Sequence, residues 1–283
     1  MKDKIFKIGL VATCLLILFV MGGIVYTLVN GAIPTFSKYG LEFIYSSEWN
    51  PNPNSEKYGA LSFIVGTLMT SFLALLLCIP LSFSISLFTG DYFKGKKTAS
   101  IIGSLVDLLA GIPSIVYGLW GFYTLRPLII EMGFNQQGFG VFTSAIILTI
   151  MIIPYATSLS SEFIKMVPND LKEAAFALGA TKLEVIQKVS LPAAGSGIFA
   201  SYILALGRAL GETMAVTILI GNVNRIPTSL FDSGNTMASV IANQFGEADG
   251  LKLSSLIAIG LLLFLLTAVI NGIGRLIMKK LSL

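Results

Sequence analysis

The sequence predicts an all-α polytopic membrane protein with six transmembrane helices. Hydrophobic residues make up 54% of the 283 residues and charged residues only 12%, whereas a soluble globular domain carries about 25% charged residues. The apolar residues also gather into six long stretches, each with at least the roughly 20 residues that a helix needs to cross a bilayer. These stretches cover residues 8–29, 61–89, 100–123, 140–160, 194–221 and 254–278.

The first stretch follows the basic segment MKDKIFK and is too long for a cleaved secretory signal, whose apolar region has about 7–15 residues. It therefore predicts a retained membrane anchor. Residues 1–60 are predicted to form this anchor helix and an external loop, and residues 61–283 to form a core of five transmembrane helices. The loop, residues 30–60, is rich in aromatic, Pro and Asn residues and is expected to be ordered.

Positive charges are distributed unevenly between the segments that join the six stretches. With the N-terminus placed inside, thirteen of the 19 Lys and Arg residues fall in inside segments and five in outside segments. Because positively charged loops stay on the cytoplasmic side, both termini are predicted to be cytoplasmic. The net charge of +4 then reflects membrane topology rather than nucleic acid binding.

An amphipathic segment, residues 170–192, separates the fourth and fifth stretches and is too polar to enter lipid. Asp170 and Glu173 have the spacing of a capping box that begins a helix. The apolar residues that follow share one helical face, and Gly179 suits the left-handed position that ends a helix. A first short helix is therefore predicted up to Gly179.

A second short helix follows at once. Thr181 and Glu184 have the spacing of another capping box, and Pro192 marks the stop. Two helices that meet at a glycine corner are consistent either with a loop lying on the membrane surface or with a docking element for a cytoplasmic partner.

Three ionisable residues fall within the predicted spans: Asp107 in the third, and Arg208 and Glu212 in the fifth. A charge at the centre of a membrane helix costs about 2.5–3.5 kcal/mol on insertion scales, so each needs a partner or a water-filled cavity. Arg208 and Glu212 are one turn apart on the same predicted helix face. They are interpreted either as an internal ion pair that pins helix packing or as part of a translocation path. In the second case Arg208 contacts an anion, Glu212 holds its guanidinium, and Asp107 is a further candidate.

Gly207 and Gly211 lie four residues apart beside this face and form a surface of small residues on which another helix can pack closely. No catalytic residue, metal site or cofactor is predicted, because the chain has no His and both Cys residues lie in apolar runs. Residues 90–98, GDYFKGKKT, nearly match a phosphate-binding P-loop. Lys97 replaces the required Ser or Thr and no strand precedes the segment, so it is interpreted as a basic loop, with ATP hydrolysis on another chain.

The segment from Glu173 to Pro192 resembles the EAA loop of ABC importer permeases. That pattern is EAA, three residues, G, nine residues and I-x-LP; here Glu173, Ala174, Ala175, Gly179, Leu191 and Pro192 match, and Val189 is the departure. The resemblance implies a type I importer permease fold in a prokaryotic plasma membrane. It also implies that residues 170–192 form coupling helices, which sit in a groove of a separate cytoplasmic ABC ATPase dimer.

Three further stretches resemble the phosphate-specific permeases of this family, and their PstC-type subunits in particular: GRALGETMAV at 207–216, AGIPSIVYGLWG at 110–121, and FIYSSEWNPNP followed by YGALSFIVGTLMTS. The resemblance implies the translocation path of an ATP-driven importer of inorganic phosphate. It further implies a homologous PstA-type permease subunit and an external phosphate-binding protein that contacts residues 30–60 and 222–252. The alternatives are a permease for sulfate, molybdate or phosphonate, a secondary transporter without an ATPase, or a membrane scaffold.

Overall fold

The computed structural model describes residues 2–52 and 55–281, and these are almost entirely helical. The helices are α1 (Lys2–Tyr39), α2 (Glu42–Tyr45), α3 (Leu61–Leu87), α4 (Lys97–Ala110), α5 (Ser114–Trp120), α6 (Arg126–Glu131), α7 (Val141–Lys165), α8 (Asn169–Ala177), α9 (Lys182–Val185), α10 (Leu191–Leu210), α11 (Met214–Leu219), α12 (Met237–Gln244) and α13 (Gly250–Leu281). Single π-helical turns at Phe88–Tyr92, Gly121–Leu125 and Ile186–Ser190 extend α3, α5 and α9, and a 3₁₀ turn at Phe245–Glu247 follows α12.

The described residues contain five helical segments long and apolar enough to cross a membrane, and a sixth crossing if one bent pair counts as a single span. The five segments are Phe6–Tyr39, Leu61–Tyr92, Val141–Lys165, Lys182–Leu210 and Gly250–Lys280. The predicted number of spans and the all-α class are therefore confirmed.

Helix α1 is longer than the predicted anchor, since residues 30–39 continue it instead of beginning the loop. This extension packs against α13: the Thr35 hydroxyl donates to the Ser254 hydroxyl at 2.8 Å, and Gly31 lies directly against Ile257. Residues 30–39, which the sequence places in a loop, are therefore helical because they are buried against α13. The part of α1 nearer the N-terminus exposes its apolar side chains on all sides, as lipid-facing residues do.

The loop that the sequence predicts to be external is ordered, as predicted, in its described residues. Strands β1 (Trp49–Asn50) and β2 (Lys57–Tyr58) pair antiparallel. The Trp49 ring packs edge-on against Tyr58 and Phe63, and its indole N–H donates to Gln244 Oε1 at 3.1 Å. This contact joins the two segments 30–60 and 222–252 at one end of the bundle, here called the hairpin end.

A tight turn at Asp232 stabilises the second of these segments. The Asp232 carboxylate accepts hydrogen bonds from the Thr228 hydroxyl and from the backbone N–H groups of Ser229 and Thr228. These bonds hold the pKa of Asp232 below its usual range. The contribution of these bonds to stability is fully present above the ordinary pKa of an aspartate, and it is lost as the pH falls through the lowered pKa.

The third predicted span, 100–123, is broken at its Gly-Ile-Pro sequence, residues 111–113. Helix α4 ends at Ala110, and the helical segment Ser114–Glu131 departs at 94°. Pro113 causes the break, because it lacks an N–H and disfavours the helical conformation of the residue before it. With 14 residues, α4 is about 21 Å long, less than the ~30 Å hydrocarbon core.

The fifth predicted span, 194–221, is also broken. Helix α10 ends at Leu210, Gly211 caps it, and α11 begins at Met214. Glycine has low helix propensity, and three unwound residues separate the two helices. Gly207 lies beside Asn271 of α13, which is consistent with a helix-packing position. A Cβ on Gly211, in contrast, would contact only the backbone of its own helix. Within this chain the predicted packing surface is thus present at Gly207 and not at Gly211.

Helices α3, α7 and α10 form the centre of the bundle around a cluster of small and aliphatic side chains. One approach is very close: a Cβ on Gly66 of α3 would overlap the backbone carbonyl oxygen of Asn235. The Thr67 hydroxyl accepts the backbone N–H of Met237 at 2.9 Å beside it. This contact fixes the segment before α12 against α3.

We expect Gly66→Ala to lower the thermal stability of the purified chain, because a backbone oxygen cannot move aside as the end of a side chain can. Overpacking of this kind costs about 1–3 kcal/mol. The measurement is the Tm in detergent, with Gly22→Ala as control, since nothing lies within 4 Å of a Cβ there. If both variants melt like the wild type, α3 and the segment before α12 do not pack this closely.

Candidate functional site

Arg208 occupies the last turn of α10, on an exposed face of the chain. Its guanidinium carbon lies 4.2 Å from the centroid of the Tyr155 ring, a cation–π contact. Tyr155 is half-buried on α7, about 21 Å from the helix start at Val141 and about 15 Å from its end at Lys165 at 1.5 Å per residue. Arg208 therefore lies near the middle depth of the bundle, as predicted.

Glu212 does not pair with Arg208. None of the ion pairs formed within residues 2–52 and 55–281 joins them. The predicted pairing assumes a continuous helix, and the break at Gly211 carries Glu212 off that helix. Its carboxylate instead accepts the backbone N–H of Ala215 at 3.5 Å, in the first turn of α11. The interpretation of the two residues as an internal ion pair is therefore wrong for this chain.

The two helix breaks belong to one structural unit. Gly118 of α5 lies so close to α11 that a Cβ there would be 3.1 Å from the Cα of Ala215. The segments after each break thus pack together, one beyond α4 and the other beyond α10. Broken helices near the membrane midplane are a recurrent way to build substrate sites in transporters, because unwound backbone is tolerated where it lines a cavity.

Asp107 lies on the exposed face of α4, where its carboxylate accepts the Ser158 hydroxyl at 2.9 Å. Ser158 follows Tyr155 by three residues on α7, so the two share one face of that helix. Asp107 also lines an open cavity of about 530 Å³. The other charged residues that line it are Lys94, Lys96, Lys97, Glu162 and Lys165. We call the end of the bundle where this cavity opens the lysine end.

The P-loop-like segment, residues 90–98, forms part of this cavity. It comprises the end of a π-helical turn, a short loop and the start of α4. The segment before it is helical, so the strand that a P-loop requires is not there. The interpretation as a basic loop is confirmed.

The predicted glycine corner is confirmed. Gly179 has a φ of +84° between α8 and α9, and Thr181 and Glu184 form a complete capping box at the start of α9. The capping box predicted at Asp170 is wrong: α8 begins at Asn169 and its N-cap is Pro168, two residues before the predicted N-cap, with no side-chain capping hydrogen bond. Pro168 restricts the backbone conformation at the start of α8, but its side chain offers no hydrogen-bond acceptor to cap the helix.

The segment α8–α9 presents an unpartnered apolar surface at the lysine end. No residue of α8 is buried, and Leu171, Leu178 and Leu183 are 51%, 90% and 60% exposed. Glu173, Ala174 and Gly179 are also exposed, Ala175 is half-buried, and Leu191 and Pro192 begin α10 behind this surface. A patch of exposed leucines outside the membrane-spanning helices is typical of a protein–protein interaction site.

Tyr155 and Ser158 are two residues of this site that the sequence does not single out. Both lie in an apolar stretch, where an aromatic residue and a serine look like ordinary components of a transmembrane helix. Only their spacing indicates a shared role. Residues 155, 158, 162 and 165 follow one another at intervals of three or four residues, so they form one polar face of α7.

Residues 79–283 match the family described as "Binding-protein-dependent transport system inner membrane component", and the chain belongs to this family. It is therefore a multi-pass inner membrane protein and a permease subunit of an ABC importer. Such a subunit works with a substrate-binding protein, a separate ATPase and another permease subunit.

Two curated relatives are phosphate transport system permease proteins named PstC. The chain is 42% identical to that of Mesorhizobium japonicum, over 100% of this chain and 91% of the relative. It is 39% identical to that of Pasteurella multocida, over 94% and 88%.

Among solved structures, a chain of a bacterial alginate ABC transporter matches with a TM-score of 0.68 at 16% identity, covering 99% of this chain and 96% of that one. The inward-facing MetNI methionine ABC transporter matches with a TM-score of 0.62 at 19% identity, covering 77% and 94%. At these identities the likeness establishes the permease fold alone.

Proposed function

We propose that this chain is the PstC-type permease subunit of an ATP-driven importer of inorganic phosphate, and that Arg208 contacts the anion in its translocation path. The observation that carries this proposal is the environment of Arg208. A guanidinium at mid-depth, on an exposed face and without a carboxylate partner in the described chain, is too costly to leave in lipid. Water, a passing anion or a second subunit must meet it.

The contact with Tyr155 suits a transient phosphate site. The cation–π contact holds the guanidinium beside the ring, while its N–H groups remain available to donate to an anion. A planar fork of donors matches two oxygens of a phosphate group. The positive charge offsets part of the desolvation of the anion. Glu212 then acts through the start of α11 and not as a counter-ion.

A polar face of α7 leads from Arg208 to the lysine end. Tyr155, Ser158, Glu162 and Lys165 lie along it, spanning about 15 Å. The lysines around the cavity attract an anion to this end, and the Asp107 carboxylate within the cavity opposes tight binding there. With both termini in the cytoplasm, this cavity is the cytoplasmic exit.

Each proposed partner is assigned to one surface of the chain: the lysine end, the hairpin end or the exposed face that bears Arg208. The leucine surface of α8–α9, with Glu173, Ala174, Ala175 and Gly179, receives the ATPase dimer. A homologous PstA-type subunit covers the face that bears Arg208. The external phosphate-binding protein contacts residues 30–60 and 222–252, which the Trp49–Gln244 hydrogen bond already holds together.

We expect vesicles that contain the full complex to import labelled phosphate only with internal ATP and external binding protein. Excess unlabelled phosphate should abolish the signal, whereas sulfate, molybdate and phosphonate should not compete. Competition by one of these anions would assign the permease to it instead. Uptake that persists without the ATPase would support a secondary transporter.

A further inference from the structure

The carboxylate of Asp91 joins three separate segments at the lysine end. Asp91 lies in the π-helical turn Phe88–Tyr92 that extends α3. Its Oδ2 accepts the Lys172 ammonium of α8 at 2.6 Å and the Ser190 hydroxyl at 2.7 Å. Ser190 ends the turn that leads directly into α10. One carboxylate oxygen thus connects α3, the first coupling helix and the base of α10.

This junction is shielded from solvent, unlike the other ion pairs of the described chain. The side chains of Lys172 and Asp91 are 12% and 9% exposed, whereas the Lys188–Glu184 pair on the same loop is 73% and 43% exposed. Exposed pairs contribute little because water screens them. A shielded pair loses much more when one partner is removed, because the remaining charge stays desolvated.

A second link lies next to the first. The Lys182 ammonium of α9 donates to the Tyr92 carbonyl oxygen at 2.6 Å and lies 4.3 Å from the centroid of the Tyr92 ring. Each coupling helix therefore sends one lysine to the same two-residue anchor, Asp91–Tyr92. Because no residue of α8 is buried, its position depends strongly on the Lys172 contact.

The anchor is itself firmly attached to the bundle. The Thr89 and Ser161 hydroxyls are 3.0 Å apart, and a Cβ on Gly90 would lie 3.1 Å from the Ile164 side chain of α7. A displacement of α8 is therefore transmitted through Asp91 to α3 and α7, and through Ser190 to α10. Helix α7 carries Tyr155 and α10 carries Arg208.

We propose that Asp91 is a positioning residue that clamps the coupling helices to the membrane-spanning helices, so that movement of the ATPase reaches the anion path. This proposal rests on the proposed function in assigning α8–α9 as the surface that meets the ATPase. It adds the residue through which that surface moves the rest of the chain.

The functional test compares Asp91→Asn with the wild type in proteoliposomes of the full complex. Asparagine retains an acceptor for Ser190 but removes the charge that holds Lys172. We expect at least a tenfold rise in ATP hydrolysed per phosphate imported, with normal co-purification of all subunits. The double variant Asp91→Lys with Lys172→Asp restores the ion pair and should recover much of the coupling. Lys7→Gln, at an exposed lysine of α1 outside the coupling segment, should leave the ratio unchanged.

A distance measurement tests the clamp independently of the transported anion. Spin labels at Ser84 and Ala177, on exposed positions of α3 and α8, are placed in the complex after Cys14→Ser and Cys78→Ser. The separation should stay narrow and constant between the nucleotide-free and ATP-bound states. In Asp91→Asn the distance distribution should broaden and shift on ATP binding.

A wild-type coupling ratio together with an unchanged distance distribution in Asp91→Asn would overturn the proposal. Loss of subunit assembly alone would assign Asp91 a purely structural role. Failure of the wild type to import phosphate would overturn the proposed substrate and leave the distance result decisive for the clamp.

Discussion

We expect Arg208→Ala to reduce ATP-driven phosphate import by about 10–100-fold. Hydrogen bonds to a charged group contribute about 1.5–3 kcal/mol, and each 1.4 kcal/mol is about a factor of ten. Assembly and basal ATP hydrolysis should persist, because Arg208 is exposed and forms no ion pair within the described chain. The measurement is initial uptake of labelled phosphate, normalised to the amount of intact complex.

Two further variants separate charge from geometry. Arg208→Lys keeps the charge but loses the planar fork and the stacking on Tyr155, so import should be intermediate. Tyr155→Phe keeps the ring and should transport almost normally, whereas Tyr155→Leu removes the stacking surface and should resemble Arg208→Lys. A parallel loss of assembly and import in Arg208→Ala would mean that the guanidinium pins subunits together and does not contact the anion.

The membrane crossings could be predicted from the sequence because lipid imposes one strong requirement, about 20 apolar residues. The breaks within these membrane-crossing helices are harder to predict from the sequence. The break at Pro113 has a local chemical cause and was visible as Gly-Ile-Pro. The break at Gly211 was not, because glycines are common in transmembrane helices and equally suit close packing. The assumption of a continuous helix there produced the incorrect pairing of Arg208 with Glu212.

In residues 170–192, too, the features that depend on neighbouring residues could be predicted, whereas those that depend on distant residues could not. The capping box at Thr181 and the corner at Gly179 depend on neighbouring residues, and both were predicted correctly. The contacts of Asp91 depend on Lys172 and Ser190, which follow it by 81 and 99 residues. Hydropathy places Asp91 only at the end of a span, where a carboxylate needs no explanation. Its importance emerges once the packing of α7 and α10 brings the three segments together.

We expect Gly179→Pro to abolish coupled import while the chain still inserts and assembles in part. Proline fixes φ near −65° and removes the backbone N–H, whereas Gly179 has a φ of +84° and donates its N–H to the Phe176 carbonyl oxygen at 2.9 Å. The corner would open, α8 and α9 would no longer present Leu178 and Leu183 on one surface, and the ATPase would lose its contact. The measurement is stimulation of ATP hydrolysis by the loaded binding protein, together with phosphate uptake.

The matched control at this position is Gly179→Asn, because asparagine tolerates the left-handed conformation better than other side chains do. Nothing lies within 4 Å of a Cβ at Gly179, so the added side chain meets no atom of this chain, and coupling should remain largely intact. Gly179→Ala should fall between the two, since the left-handed conformation costs a non-glycine residue about 1–2 kcal/mol. This order, with asparagine above alanine and alanine above proline, follows from backbone conformation alone. If all three variants lose coupling equally, the ATPase contacts Gly179 directly and excludes any side chain there. If Gly179→Pro imports phosphate normally, α8–α9 is not the coupling surface.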